Sequence, residues 1–100
     1  MLDTLHYEDF APHLNTKFHA QIGQDRMIEV ELIGVENRQP APQHELFVLT
    51  FRAPRDAPVA QQLFQMSHHS LGQGIMFLVP IARDESGLVY EAVFNRSREV

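Results

Sequence analysis

The apolar residues between positions 7 and 14 are spaced as in a short helix. Four of them recur at intervals of three and four and so share one helical face: Tyr7, Phe10, Ala11 and Leu14. Pro12 has no amide hydrogen and is tolerated only in a first turn, so we expect a helix near residues 8–14. Asn15 can adopt the left-handed conformation that ends it. So short a helix is not stable alone, and we expect Tyr7, Phe10 and Leu14 to cover part of a sheet surface.

From residue 16 onward the apolar period falls from about 3.6 to 2, the period of half-buried strands. Six segments of this kind follow, at residues 16–22, 28–35, 46–51, 62–68, 75–81 and 88–94. The apolar positions slip by one residue at Gly34, which predicts a β-bulge, and Pro80 predicts a bulge or a sheet edge because it cannot donate a ladder hydrogen bond. The predicted fold class is all-β: one domain over residues 1–100, a small antiparallel barrel or sandwich of about six strands with a short N-terminal helix.

Three of these segments, at residues 46–51, 75–81 and 88–94, are apolar on both faces. A small sheet has only one interior, so the second face needs another explanation. We expect the aromatic residues of these segments to lie in the core: Phe51, Phe77, Tyr90 and Phe94. The helix can cover only part of the outer face, and monomers seldom expose apolar patches beyond a few hundred Å². The pattern therefore predicts a surface for self-association or for another protein.

Composition and charge exclude several classes of function. The chain is 44% hydrophobic and 21% charged, with a net charge of −5, and it has no cysteine. Because no cations are clustered, we expect neither nucleic acid nor membrane as a partner. The lack of thiols removes disulfides and cysteine-ligated metals. The start of the chain has acids where a signal peptide needs bases, so we expect a cytoplasmic protein, or one exported without a signal peptide as part of an assembly.

The six histidines are the candidate metal ligands and general bases. His68 and His69 are adjacent, but neighbouring strand residues point to opposite faces, so they serve one site only where the strand has ended. A further ligand could come from any of the other four: His6, His13, His19 and His44. Since no spacing enforces their convergence, a surface position at a strand end is favoured over metal binding. Ser70 lies in no Gly-x-Ser-x-Gly motif, so a serine hydrolase is not predicted.

Two further pairs have simple structural interpretations. Glu29 and Glu31 share one strand face, and we expect them on the solvated side of an amphipathic strand rather than as paired catalytic carboxylates. Arg55 and Asp56 lie between two prolines, in a turn rigid enough to serve as a recognition tip. A solvent-exposed structural turn is the favoured interpretation of this pair. Arg55 and Asp56 are nevertheless the candidate interaction residues that the sequence offers.

Several motifs resemble those of a family of short bacterial proteins with no assigned biochemical function. They are LHYEDF at residues 5–10, the Pro54/Pro58 turn, Leu71-Gly72, FLVPI at residues 77–81 and YEAVFN at residues 90–95. The chain departs from the family pattern at Asn15, where glycine is usual, and at Phe64, where tyrosine is usual. Members are often encoded beside phage-tail-like collar and fibre proteins. The resemblance therefore implies a structural or adaptor role.

These observations lead to two hypotheses about function. The first is a non-enzymatic structural or adaptor module that acts through protein–protein contacts, in a phage-tail-like assembly if the family association holds. The alternative is a small-ligand or metal-binding barrel that uses His68 or His69. No catalytic residue and no cofactor is predicted under the first hypothesis. The two differ in where the important residues lie, on an apolar surface or around an imidazole.

Overall fold

The computed structural model describes residues 1–97, in which six antiparallel strands form one closed barrel. The strands are β1 (Lys17–Ile22), β2 (Arg26–Asn37), β3 (His44–Ala53), β4 (Gln62–His68), β5 (Gly72–Asp84) and β6 (Gly87–Ser97). Their order around the barrel is β1-β2-β3-β6-β5-β4, and β4 pairs with β1 to close it. The predicted all-β class is confirmed. Every predicted strand is present, and most extend a few residues beyond their apolar segments.

The interior of the barrel is filled by the alternate residues of each strand. On β3 these are Phe47, Leu49 and Phe51, all completely buried, and on β6 they include Tyr90 and Ala92. The remaining strands contribute the same kind of side chain: Phe18 and Ala20, Ile28, Val30 and Leu32, Phe64 and Met66, and Met76 and Leu78. A barrel of this size has just enough interior for its own side chains. The sequence period of 2 therefore follows directly from one buried face per strand.

Both predicted bulges are confirmed. Between β2 and β3 the register shifts after Leu32, which pairs with Phe51, so that Gly34 pairs with Thr50. Between β5 and β6 it shifts after Pro80, which pairs with Tyr90. Each shift inserts one extra residue into a strand and sharpens its bend. These bends allow a sheet of only six strands to close on itself.

The N-terminal segment covers one end of the barrel. It consists of a 3-10 turn (Leu2–Thr4), the helix α1 (Tyr7–Phe10) and a second 3-10 turn (Ala11–His13). The α-helix stops at Phe10 because Pro12 has no amide hydrogen to donate to the carbonyl group of Glu8. Asn15 has a φ of 69°, which confirms the predicted left-handed termination. The predicted helix at 8–14 is therefore one α-helical turn followed by a 3-10 turn.

The prediction that this segment lies on an outer sheet surface is wrong. Leu2 and Phe10 are completely buried, and the Phe10 ring lies 5.9 Å from both Phe47 and Phe94, two rings that project into the barrel end. Leu14, expected to be covered, is 42% exposed. Close contact with Gly74 fixes the first turn, because a Cβ atom there would lie 2.8 Å from the backbone nitrogen of Leu2. The apolar face of the segment thus serves as a plug for the interior.

The loop at residues 54–61 covers the opposite end. The amide of Ala57 donates to the carbonyl oxygen of Pro54 over 3.0 Å, and the side chain of Ala57 is buried. The hydroxyl of Tyr90 donates to the carbonyl oxygen of Pro58 over 2.6 Å, and burial raises the pKa of Tyr90 to about 12. Both ends of the barrel are thus covered by its own chain. None of the helices within residues 1–97 has the length and apolar character needed to span a bilayer.

Candidate functional site

An apolar face lies on the outside of β4, β5 and β6. We define the apolar face by five exposed side chains: Leu63 (66% exposed), Ile75 (50%), Phe77 (46%), Ile81 (51%) and Val93 (56%). Leu63 and Phe77 are direct cross-strand partners, and Ile75 follows Phe77 on the same side of β5. The prediction that Phe77 belongs to the core is wrong, because the interior positions of β5 are taken by its neighbours Met76 and Leu78.

The apolar face carries no charged side chain on β4 or on β5 between residues 73 and 79, whereas Glu91 lies outward on β6, opposite Val79 and two residues from Val93. The outward positions of β4 are Leu63, Gln65 and Ser67, and those of β5 before its bulge at Pro80 are Gln73, Ile75, Phe77 and Val79. None of these seven side chains carries a charge. A second surface that packs on these two strands would therefore desolvate apolar groups and neutral polar groups. This costs much less free energy than the burial of ionised groups.

The opposite side of the barrel is charged. In the closed order, β2 is three strands away from β5 in either direction. Its outward residues Glu29 and Glu31 are solvated, as predicted, and lie 3.7 Å from His19 Nε2 and 3.2 Å from Lys17 Nζ. The two sides of the barrel therefore differ sharply in character. Ion pairs of this exposed kind contribute little stability but keep the surface solvated.

A groove of about 270 Å³ lies on this charged side. Its lining consists of Lys17, Glu29, Glu31, Arg52, Ala53, Pro54 and Ser86. The cations of the groove already have anionic partners, since Lys17 pairs with Glu31 and Arg52 Nη1 lies 3.4 Å from Asp84 Oδ1. The groove therefore offers no cluster of like charge to select an ion, and its walls are held by their own pairs.

A buried carboxylate links the N-terminal segment to the barrel. Glu45 lies at an inward position of β3 and is 2% exposed. Its Oε1 atom lies 2.9 Å from His6 Nδ1 and accepts from Arg96 Nε over 3.0 Å. The guanidinium group of Arg96 also donates to the backbone oxygens of Asp3, over 2.7 Å, and of Leu5. This glutamate–arginine cluster, formed by Glu45, Arg96 and His6, therefore fastens the segment across two strands.

The charge state of Glu45 is set by competing effects. Burial alone would raise its pKa, but the hydrogen bonds from His6, Arg96 and the Tyr7 amide outweigh burial, so the pKa of Glu45 lies below its usual value. Arg96 further covers the rings of Phe47 and Phe94, with its Cζ atom 5.8 Å and 5.3 Å from their centroids. This cluster was not predicted from the sequence. A glutamate in register with the buried phenylalanines of β3 was the signal that could have revealed it.

His68 is a structural core histidine at the end of β4, 7% exposed. Its Nδ1 atom accepts hydrogen bonds from the amides of Ser70, over 3.0 Å, and Leu71, over 3.3 Å. An acceptor at Nδ1 places the ring hydrogen on Nε2, which lies 2.9 Å from Thr16 Oγ1. The Thr16 hydroxyl in turn donates to the carbonyl oxygen of His13 over 2.6 Å. Both ring nitrogens are thus engaged in holding the β4–β5 turn against the N-terminal segment.

The structure does not bring the histidines together around a common point. Within residues 1–97, no group of three or more His, Cys, Asp or Glu side chains is placed to hold a metal ion. The His13 ring contacts the His68 ring edge-on, with centroids 4.8 Å apart, whereas His69 and Ser70 are exposed. A metal ion at His68 would have to displace two backbone amides from Nδ1. The geometry therefore gives the metal-binding alternative no support.

Arg55 and Asp56 lie in the loop that covers the far end of the barrel, and both are exposed. Asp56 Oδ2 lies 2.5 Å from Arg26 Nη2, at the start of β2. This contact joins the loop to the start of β2.

The geometry defines a small antiparallel β-barrel domain with covered ends, one apolar side and one charged side. The chain belongs to the family described as "Domain of unknown function (DUF6916)", which matches residues 5–94. This match confirms the resemblance to a family without an assigned biochemical function. No curated protein and no solved structure matches the chain.

Proposed function

We propose that this protein is a non-enzymatic structural or adaptor module that binds another folded protein surface through its apolar face. The observation that carries the proposal is the side-by-side exposure of Leu63, Ile75 and Phe77 at 46–66% on two paired strands. Monomeric proteins rarely expose large apolar side chains side by side, and where such clusters occur they often mark a contact site for another protein. Their position on regular strands makes the surface rigid before binding.

The closed sheet determines how such a contact forms. β4 pairs with β5 along Gln62–His68 and with β1 at residues 65–67, so the exposed side chains of the apolar face stand on hydrogen-bonded strands. We expect a partner to pack against these side chains. The affinity then depends on apolar area and shape, with Phe77 as the aromatic residue of the surface.

The buried polar groups support a structural interpretation over a catalytic one. The glutamate–arginine cluster and His68 both hold the N-terminal segment or the β4–β5 turn, and each makes several hydrogen bonds within the protein. Membership of a phage-tail-like assembly stays a prediction from the resemblance. The apolar face is compatible with such an assembly because stacked subunits contact one another through side-chain surfaces.

Site-specific photocrosslinking tests the proposal, helped by the lack of native cysteine. Ile75→Cys carries a benzophenone label on the apolar face, and Met27→Cys, 55% exposed on β2, carries the same label on the charged side. After irradiation in an extract of the source cells, we expect protein adducts from position 75 and none from position 27. Equal labelling from both positions, or no adduct from position 75, would overturn the proposal.

A further inference from the structure

We propose that the turn between β4 and β5 is an acid-sensitive switch, which is fastened to the N-terminal segment near neutral pH and detaches from it in mild acid. We define the His68 turn as residues 68–72, from the last residue of β4 to the first residue of β5. It contacts the segment through the His68 ring, which lies beside His13 and Thr16. The switch goes beyond the proposed protein contact, because none of its residues belongs to the apolar face.

The His68 turn is held by hydrogen bonds that only a neutral imidazole can make. Nδ1 of His68 accepts from the amides of Ser70 and Leu71, and Nε2 lies 2.9 Å from the hydroxyl oxygen of Thr16. A proton on Nδ1 would turn this acceptor into a donor, so both amide bonds would be lost together. One protonation therefore removes the contacts that shape the turn.

The side chains around His68 oppose a charge on its ring. The second 3-10 turn contributes His13, with the two ring centroids 4.8 Å apart, β1 contributes the apolar ring of Phe18 at 4.4 Å, and the turn itself contributes His69. Burial, and after it the two neighbouring histidines, lower the pKa of His68. Because both titratable neighbours are bases, acid adds repulsion here rather than an anionic partner. The charged ring is therefore more stable in water than in the closed turn.

The N-terminal segment is held by other contacts that mild acid leaves intact. The Asn15 amide donates to the carbonyl oxygen of Leu32 over 2.6 Å, and the Leu32 amide donates to that of Thr16 over 3.0 Å. These backbone groups do not titrate. At the start of the segment, His6 contacts Glu45, whose lowered pKa keeps it ionised at pH 5, so a proton on His6 creates an ion pair. The opening is therefore confined to the His68 turn.

Detachment of the turn changes the surface at this end of the barrel. The Phe18 ring is completely buried near neutral pH, and the His68 ring covers part of it. Leu71, within the turn, is partly buried against the core. Both apolar side chains lose cover when the turn opens. The switch thus creates an apolar patch in acid that the closed form does not present.

Residue-resolved hydrogen exchange on the intact chain tests the switch, measured as protection factors at pH 7.5 and pH 5. Each pH unit below the ordinary histidine value near 6.5 can raise the population of the open turn up to tenfold, because the open form takes up the proton. We expect the protection of the Ser70 and Leu71 amides to fall by up to about 30-fold. The Leu32 amide should stay more protected than both at each pH, since its bond survives the opening.

Two results of this measurement would overturn the switch. Unchanged protection of Ser70 and Leu71 between the two pH values would show that no proton is coupled to the turn. Equal protection of these two amides and of Leu32 would show that the turn opens only when the whole barrel unfolds.

Substitutions assign the proton to His68. His68→Asn keeps an acceptor for the two amides but cannot take up a proton, so the fall in protection should disappear. His19→Asn, at an exposed position of β1, is the matched control and should show the wild-type fall. If His68→Asn gives no cooperative melting curve, His13→Asn replaces it. Loss of this base lets the closed turn tolerate the charge better, so its fall should be smaller than in wild type. A wild-type fall in the variant used would contradict the assignment.

Discussion

His68 is a buried imidazole whose two ring nitrogens are both committed to hydrogen bonds within the fold. Its ring contacts Phe18 at 4.4 Å between centroids, and both of its nitrogens are engaged with neighbours. Nδ1 accepts from two backbone amides and so must carry a lone pair. If Nδ1 were protonated, its hydrogen would be repelled by the hydrogens of the two backbone amides that point at this atom. The site therefore requires the neutral ring.

The pH dependence of stability follows from this requirement. Burial, with the nearby His13 and His69, holds the pKa of His68 below its usual value near 6.5. For a base with a lowered pKa in the folded state, the contribution to stability is complete above the unfolded pKa and falls as pH drops below about 6.5. In urea unfolding from pH 8 to pH 5, we expect His68→Asn to lose less stability than wild type, because Asn can still accept from Ser70 and Leu71 but cannot take up the proton.

At pH 8, by contrast, we expect His68→Asn to be less stable than the wild-type protein. His68→Asn loses the contact with Phe18 and the bond to Thr16, at a cost of about 1–3 kcal/mol. The exposed His19→Asn is the matched control and should keep the wild-type stability at pH 8. If His68→Asn and wild type lost stability in parallel between pH 8 and pH 5, the assignment of a neutral structural ring would be wrong.

The N-terminal segment is the element whose position depends most on single contacts. Its 3-10 turns and one helical turn are too short to be stable alone, so burial of Leu2 and Phe10 and the glutamate–arginine cluster hold it in place. Arg96 makes most of the contacts in this cluster, because it joins β6 to Glu45 and to two backbone carbonyl groups of the segment. Loss of this cluster should therefore let the N-terminal segment unfold locally while the barrel stays folded.

Glu45→Ala tests this expectation. The substitution leaves the Arg96 guanidinium without its carboxylate, and we expect a loss of about 2 kcal/mol, below the range for fully buried pairs because Arg96 is 28% exposed. Hydrogen exchange should accelerate most in residues 2–14 and least in β3 and β6. Glu45→Gln keeps the shape of the side chain and should show a smaller effect. A uniform acceleration along the chain would indicate that the cluster stabilises the whole barrel instead.

The sequence predicts the strands well and the covering segments poorly, for a physical reason. Alternation along residues 16–22, or the slip at Gly34, reflects which face of a strand is buried, and this can be read from neighbouring residues alone. The position of the N-terminal segment instead depends on contacts between residues far apart in the chain, such as Arg96 with Asp3. Phe77 shows the same limit, because an apolar residue on a two-sided strand is equally compatible with either face until the register is known.

The closed barrel separates an apolar surface from a charged one. Closure leaves the apolar face on β4 to β6 and the ion pairs Lys17–Glu31 and His19–Glu29 on β1 and β2, with both ends covered by the chain itself. The two-sided apolar segments of the sequence are therefore not fully covered within the described residues, since Ile75, Phe77 and Val93 stay about half exposed. The proposed protein contact accounts for this surface in physical terms.

Hydroxyl-radical footprinting is the measurement that tests the apolar face most directly, because it reports the solvent exposure of individual side chains. Oxidation is compared between the dilute chain and the associated form, whether with itself or with a crosslinked partner. We predict strong protection of Leu63, Ile75 and Phe77, with unchanged oxidation of Met27 on the opposite side. Protection of Met27 with continued oxidation of Phe77 would contradict the account.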